Sequence, residues 1–326
     1  VALTVISARE VRQLLPMAEC IEVMAVAMAA ASSGSIDIPA RQFAPLIDDS
    51  GLLGLMPGSS KELGSYGAKL ISLHRDNPEK GLPTVQGFVA LFDFATGVPT
   101  AIVEGAEITG LRTAAASGLA TGLLAREDAR RCGIFGTGVQ AVSHIDAMCA
   151  VRPVEEILIW GRNSESTALF AEAQAERTGL IVRATDDPAE AGACDLLCTV
   201  TASPEPVLKG EWVRPGAHIN LVGAHTLETR EADTALVARS TVYVDLLASA
   251  RNEGGDVMIP VAEGVVGEDH IVGEIGQLVG GEIPGRSGAD QITLYKSLGI
   301  TAQDLYVAQS VFERAQAAGI GTKVDL

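Results

Sequence analysis

Arg131-Cys132-Gly133-Ile134-Phe135-Gly136-Thr137-Gly138-Val139-Gln140-Ala141 is a short apolar run that ends in a spaced pair of glycines. Residues 131–135 read as a strand and 139–151 as the helix that follows. Gly136 permits the tight turn between them. Gly138 lets backbone N–H groups approach a pyrophosphate at the helix N-terminus, and Ala141 is small enough for close helix–strand packing. A second strand, 156–160, follows at the spacing of a dinucleotide-binding unit, so residues 136–140 (Gly136, Thr137, Gly138, Val139, Gln140) are the candidate cofactor cradle. That second strand ends in Gly161-Arg162, where an NAD site usually carries Asp or Glu for the ribose hydroxyls. Arg162 suits a 2′-phosphate or a stack on adenine, and also reads as an ordinary surface residue. The expected cofactor is NAD(H) or NADP(H), leaning to NADP(H).

Working outward, strand and helix alternate through 164–178, 181–184, 188–193 and 196–200, with later strands at 216–222, 242–245 and 291–296. That alternation predicts a parallel sheet covered by helices. The first third differs. Ser7 caps a first helix, 17–32 is a second, and 38–46, 51–57, 65–73, 84–93 and 99–104 read as strands between Gly, Pro and Asn turns. A long helix starting at Thr109 bridges to the glycine unit, and a terminal helix, 301–318, packs back on the first domain. The expected fold class is α/β. It comprises a Rossmann dinucleotide-binding domain, 117–300, and a discontinuous α+β substrate-binding and dimerisation domain, 1–116 with 301–326.

Composition narrows the partners. The 326 residues carry a net charge of -17, a field that repels phosphate backbones and anionic lipid, so no nucleic acid or membrane partner is expected. Aromatics are only 4%, which leaves the core to Val, Ile, Leu and Ala. The five cysteines lack zinc-site spacing and read as small buried thiols. His144, His218 and His270 have no second ligand at metal spacing, and no metal is expected. Neither a signal-peptide pattern nor a run of about 20 apolar residues is present, which predicts a cytoplasmic protein.

Several stretches together resemble the ornithine cyclodeaminase/mu-crystallin family: Ile38-Pro39-Ala40-Arg41, Gly67-Ala68-Lys69, Asn77 with Gly81-Leu82-Pro83, and Thr109-Gly110-Leu111-Arg112-Thr113-Ala114-Ala115. The glycine loop, Val222-Gly223-Ala224-His225, Glu253-Gly254-Gly255-Asp256 and Ser297-Leu298-Gly299 continue the match in order. The resemblance implies a homodimer and a nicotinamide that meets a small amino or imino acid. It assigns the substrate carboxylate to Arg41, Lys69 and Arg112, and further cofactor contacts to Arg112, Thr113, Val222 and Gly223. Independently, each of the three cations sits at or near an expected strand end or helix start, in an apolar stretch of an acidic chain. Arg offers a planar fork for carboxylate, and Lys a compact charge that can shuttle a proton.

One departure decides between activities. Members that cyclise ornithine carry Asp where this chain has His225, and an imidazole cannot partner a distal ammonium. The expected activity is therefore NAD(P)H-dependent reduction of a 2-imino acid, with Lys69 or His225 supplying or relaying the proton. The substrate is a cyclic ketimine, such as pyrroline- or piperideine-2-carboxylate, or a dicarboxylic imine such as iminosuccinate. In the dicarboxylic case His225, with His74 and Arg75, could meet the second carboxylate. His225 can also be a structural histidine, and His74 and Arg75 an exposed turn. Two alternatives stay open: a cyclodeaminase with bound NAD, and a non-catalytic NADPH-binding protein of the crystallin kind.

Overall fold

A computed structural model describes residues 2–325. It divides into two compact units: the chain up to Arg112 together with the chain from Ile300, and Thr113–Gly299. The division falls inside one helix, Gly105–Leu124.

The strands preceding that helix are β1 (Ala2–Ile6), β2 (Gln42–Pro45), β3 (Leu52–Ser60), β4 (Ser65–Leu73), β5 (Val85–Asp93) and β6 (Pro99–Glu104). Those that follow are β7 (Arg131–Phe135), β8 (Glu156–Trp160), β9 (Ile181–Ala184), β10 (Leu196–Thr199), β11 (His218–Leu221), β12 (Thr241–Val244), β13 (Ile271–Glu274) and β14 (Thr293–Lys296). The helix Thr301–Ala318 and β15 (Thr322–Asp325) complete the order.

In the first unit the strands run β15-β1-β6-β5-β4-β3-β2. All neighbours are antiparallel except β1 and β6. Because such a sheet can leave one face open, its strands alternate in burial. On β4 the residues Ser65, Gly67 and Lys69 turn inward while Tyr66, Ala68 and Leu70 are half-exposed. The helix Thr301–Ala318 covers the inward face, buried continuously from Thr301 to Ala308 and again at Val311, Phe312 and Ala315. The alternation of β4 therefore delivers Lys69 to the underside of that helix.

The second unit is an eight-stranded parallel sheet, β13-β12-β14-β11-β10-β7-β8-β9. Its central strands β10, β11 and β14 are buried at every position, as expected where helices cover both faces. The strand order reverses between β7 and β10, which is where open α/β sheets bind ligands.

The structure corrects several expectations. The strand expected over 38–46 is confined to Gln42–Pro45, so Arg41 lies just before it. Thr109 does not open the long helix. The Glu104 carboxylate accepts from the Ala106 and Glu107 N–H groups at 3.0 and 2.7 Å and starts the helix at Gly105. Arg112 is therefore a mid-helix residue, and Lys69 lies mid-strand in β4, not at its end. β1, β13 and β15 were not anticipated. Four cysteines are buried and Cys149 is half-buried; all five are free thiols.

Candidate active site

The first unit gathers charge around Asp304. This residue lies in the first turn of the terminal helix, fully buried over the inward face of the sheet. Lys69 Nζ lies 2.9 Å and Arg112 Nε 3.0 Å from Asp304 Oδ1, and both cations are buried. Arg112 Nη1 donates to Gln303 Oε1 at 2.8 Å, and Lys69 Nζ to Thr109 Oγ1 at 3.4 Å. Thr109 and Arg112 stand one turn apart on their helix, so both reach the same point on β4. Burial pushes the Lys69 ammonium down to about 8, helped by the charges of Arg112 and Arg41 and opposed by Asp304. That places the lysine where it can both give and take a proton. Arg41 is half-exposed, with its guanidinium carbon 6.0 Å from the Phe43 ring centroid. Lys69 and Arg112 share the single carboxylate of Asp304, which leaves this pair with an excess of positive charge, complementary to an organic acid.

The second unit carries a cleft of its own. A cleft of about 290 Å³ at the sheet's reversal point is lined by Gly136, Thr137 and Gly138 after β7 and by Trp160, Gly161 and Arg162 at the end of β8. Residues 200–203 after β10, with Val207, complete the lining. Gly136 has φ +120°, closed to other residues, and a Cβ there would lie 2.9 Å from the Val200 carbonyl oxygen. A Cβ on Gly138 would meet nothing within 4 Å, so the backbone at the start of the helix Val139–Val151 borders open space. A dinucleotide pyrophosphate fits this cradle, because a helix N-terminus favours an anion; the Ala141 N–H is turned back to the Gly138 carbonyl at 3.0 Å. At Gly161 an added Cβ would lie 2.5 Å from the Thr167 hydroxyl. A ribose-binding acid is thereby excluded from that position, and exposed Arg162 stands next in line.

Gly136, Thr137, Gly138 and Arg162 thus share one cleft, with Val139 exposed and Gln140 half-buried on the helix that leaves it. Thr113 is buried, and Val222 and Gly223 follow the end of β11. His225 is exposed. Its Nδ1 donates to the Gly223 carbonyl oxygen at 3.0 Å. His74 and Arg75 lie beyond the end of β4. At about 3.3 Å per residue, His74 is roughly 16 Å along the strand from Lys69, so the structure does not bring either residue into the Lys69 cluster.

The other histidines are held in the interior or at its edge. His144 is buried, donates to the Gln140 carbonyl at 2.8 Å and accepts from Ser117 Oγ at 3.0 Å; burial pushes it down to about 4. His218, bonded to Thr293, is pushed down to about 3 by burial and by Arg286. His270 donates to the Val237 carbonyl.

Asp304 and Gln303 escaped the sequence reading. An acid in a helix's first turn is accounted for by the helix dipole, which hides any other role. The one available signal was its setting, a lone carboxylate in the apolar run from Leu298 to Val311.

The model of the ornithine cyclodeaminase/mu-crystallin family matches residues 2–319. The Δ1-pyrroline-2-carboxylate reductase of Bacillus cereus is 35% identical over 323 residues, covering 98% of this chain and 99% of that protein. Among solved structures, Δ1-pyrroline-2-carboxylate reductase of Thermococcus litoralis in complex with NADH and L-proline gives a TM-score of 0.94 at 37% identity, over 98% of this chain and 100% of that one. The iminosuccinate reductase of Paracoccus denitrificans in complex with NAD+ gives 0.92 at 29% identity, over 100% of both chains.

Proposed function

Because the chain belongs to the ornithine cyclodeaminase/mu-crystallin family, we propose that it is an NAD(P)H-dependent reductase of 2-imino acids. Its substrate is a cyclic ketimine, such as pyrroline- or piperideine-2-carboxylate, or a dicarboxylic imine such as iminosuccinate. The observation that carries this reading is Lys69, a buried ammonium poised near pH 8 among two arginines and one carboxylate.

The nicotinamide dinucleotide, when bound, supplies a hydride to the C=N carbon. Gly136, Thr137 and Gly138 would hold its pyrophosphate through backbone N–H groups, and Arg162 would be available to a ribose 2′-phosphate, inclining the cleft toward NADPH. Arg41 and Arg112 hold the α-carboxylate. Lys69 donates the proton that the nitrogen gains as the amine forms. Asp304 keeps Lys69 and Arg112 at fixed separation and keeps the lysine charged. His225 occupies the place of the cyclodeaminase aspartate and brings no anion for a distal ammonium, which favours reduction over ornithine cyclisation.

A substrate panel tests the assignment. Loss of NAD(P)H absorbance is expected with pyrroline-2-carboxylate, piperideine-2-carboxylate, or oxaloacetate plus ammonia. Ammonia and proline formed from ornithine without added reductant, or no oxidation across the panel, would overturn it.

The functional unit is proposed to be a homodimer built on the open face of the first unit's sheet. Leu55, Ala68, Leu70, Ala90 and Phe92 lie half-exposed there, with Leu53 at 47% and Phe88 at 38% exposure. A contiguous apolar face of this kind marks an interaction surface, and a second copy presents the same face to it. The expected mass in sedimentation is twice that of the chain, and Leu53→Asp with Phe88→Asp gives monomers. A monomeric wild type would refute the assembly.

A further inference from the structure

Below the cofactor cleft lies a buried network of three charged side chains that the reaction above does not use: Glu231, Asp256 and Lys296, all fully buried in the second unit. Glu231 Oε1 accepts from the Thr201 N–H and Thr201 Oγ1, both at 2.7 Å. Its Oε2 accepts from Thr199 Oγ1 at 2.8 Å and the Gly223 N–H at 2.6 Å. Both backbone groups and both hydroxyls donate to the carboxylate, while burial and the Asp256 charge push its pKa up, opposed by the Thr201 donors and Lys296.

These four donors come from two places that the chain makes adjacent only through the sheet. Thr199 and Thr201 sit at the end of β10, and Gly223 follows β11. The approach is close enough to require glycine at 223: a Cβ there would lie 2.0 Å from the Thr201 carbonyl oxygen and 2.7 Å from Glu231 Oε1. The Thr201 hydroxyl also accepts from the Ser203 N–H at 3.1 Å, so the anchor extends along residues 201–203, which line the cleft.

Glu231 is itself held. Its N–H donates to Asp256 Oδ1 at 2.7 Å, as does the Ala232 N–H at 3.1 Å. Asp256 Oδ2 pairs with Lys296 Nζ at 2.9 Å, and Lys296 donates to the Ala224 carbonyl at 2.5 Å. The circuit closes on the same β11 loop that Glu231 grips. Two carboxylates and one ammonium in a dry interior are expensive, and apolar packing would serve stability as well or better. What an apolar cluster cannot do is fix the two loops by directional bonds.

We propose that Glu231, oriented by Asp256 and Lys296, is a positioning residue that sets residues 201–203 and 222–224 as the wall against which the dinucleotide binds. The inference rests on the cofactor reading above and deepens it. It assigns a task to Gly223 and Asp256 in two of the stretches that carry the family resemblance.

Glu231→Gln keeps the size but turns an amide N–H₂ toward groups that themselves donate, so at least one loop contact is lost. Its Kd for NADH or NADPH, measured by quenching of tryptophan fluorescence (Trp160 lines the cleft), should rise about tenfold or more, with the KM for the imine at saturating dinucleotide within about twofold. Thr201→Val removes the hydroxyl's bond to the carboxylate together with the acceptor of the Ser203 N–H, and is expected to weaken dinucleotide about threefold to tenfold, with recovery in Thr201→Ser. The threonine pair decides the matter alone should Glu231→Gln not fold. Unchanged dinucleotide Kd in these variants overturns the proposal, and so does an equal loss of imine and dinucleotide affinity, which marks general loosening of the fold. A wild-type chain that binds neither dinucleotide overturns the cofactor reading together with this one.

Discussion

Replacing Lys69 by methionine lowers kcat/KM for imine reduction about 10²- to 10⁴-fold, the range general acid catalysis supplies, while dinucleotide affinity stays within about twofold. Methionine fills much of the same volume and cannot donate a proton. The glycine cradle lies in the other unit, so its dinucleotide contacts are unaffected. The pH profile gives the sharper signature. Lys69 titrates at about 8, lowered first by burial and then by Arg112 and Arg41. Reduction requires the protonated lysine, so kcat/KM holds level below that value and falls about tenfold per unit above it. Oxidation of the amino acid requires the neutral amine and follows the opposite course. Lys69→Arg keeps the positive charge but stays protonated throughout, and it should lose the inflection along with most of the rate. A wild-type profile flat across pH 7–9, or a Lys69→Met enzyme of full activity, would remove the lysine from the mechanism.

Asp304→Asn is expected to have the second largest effect, and on two measurements at once. The substitution leaves Lys69 and Arg112 buried without the carboxylate both of them contact at 2.9 and 3.0 Å. Removing one partner of a buried ion pair costs about 3–5 kcal/mol, so the melting temperature falls. Asp304 is also the group that raises the Lys69 pKa against burial, through its charge and its hydrogen bond. Without it the inflection in kcat/KM moves below 8, less of the enzyme carries the proton at neutral pH, and the rate at pH 7 drops roughly tenfold to a hundredfold. A lower melting temperature with the inflection unmoved would mark Asp304 as structural only.

The elements that were legible from the sequence have strong local signatures. The helix Val139–Val151 announces itself by the glycine loop before it, β4 by Gly punctuation and its apolar run, and the terminal helix by its periodicity. β1 and β15 were not legible because they are short strands that pair with each other from opposite ends of the chain. The strand expected at 38–46 is interrupted because Pro39 lacks an N–H for a ladder: Asp37 bridges Ser59 of β3, and continuous pairing resumes only at Gln42. Lys69 and Arg112, which the structure brings together on Asp304, could be named because cations in apolar stretches are conspicuous in an acidic chain. The groups that hold the site in place could not. Lys69 and Asp304 are 235 residues apart in sequence, and Glu231 reaches Thr199 across 32. Neither separation leaves a periodic or motif signal. A carboxylate looks alike on paper whether it is solvated or clamped between two loops.

Because Asp304 is supplied by the terminal helix, the unit that holds Lys69 closes last. A ribosome that has released Arg112 must still add 192 residues before the counterion exists. At roughly 5–20 residues per second, the nascent cations wait about 10–40 s. The parallel sheet, drawn from one continuous stretch of chain, can complete its core during that interval. Newly made polypeptide therefore completes its parallel-sheet unit before the unit that holds Lys69.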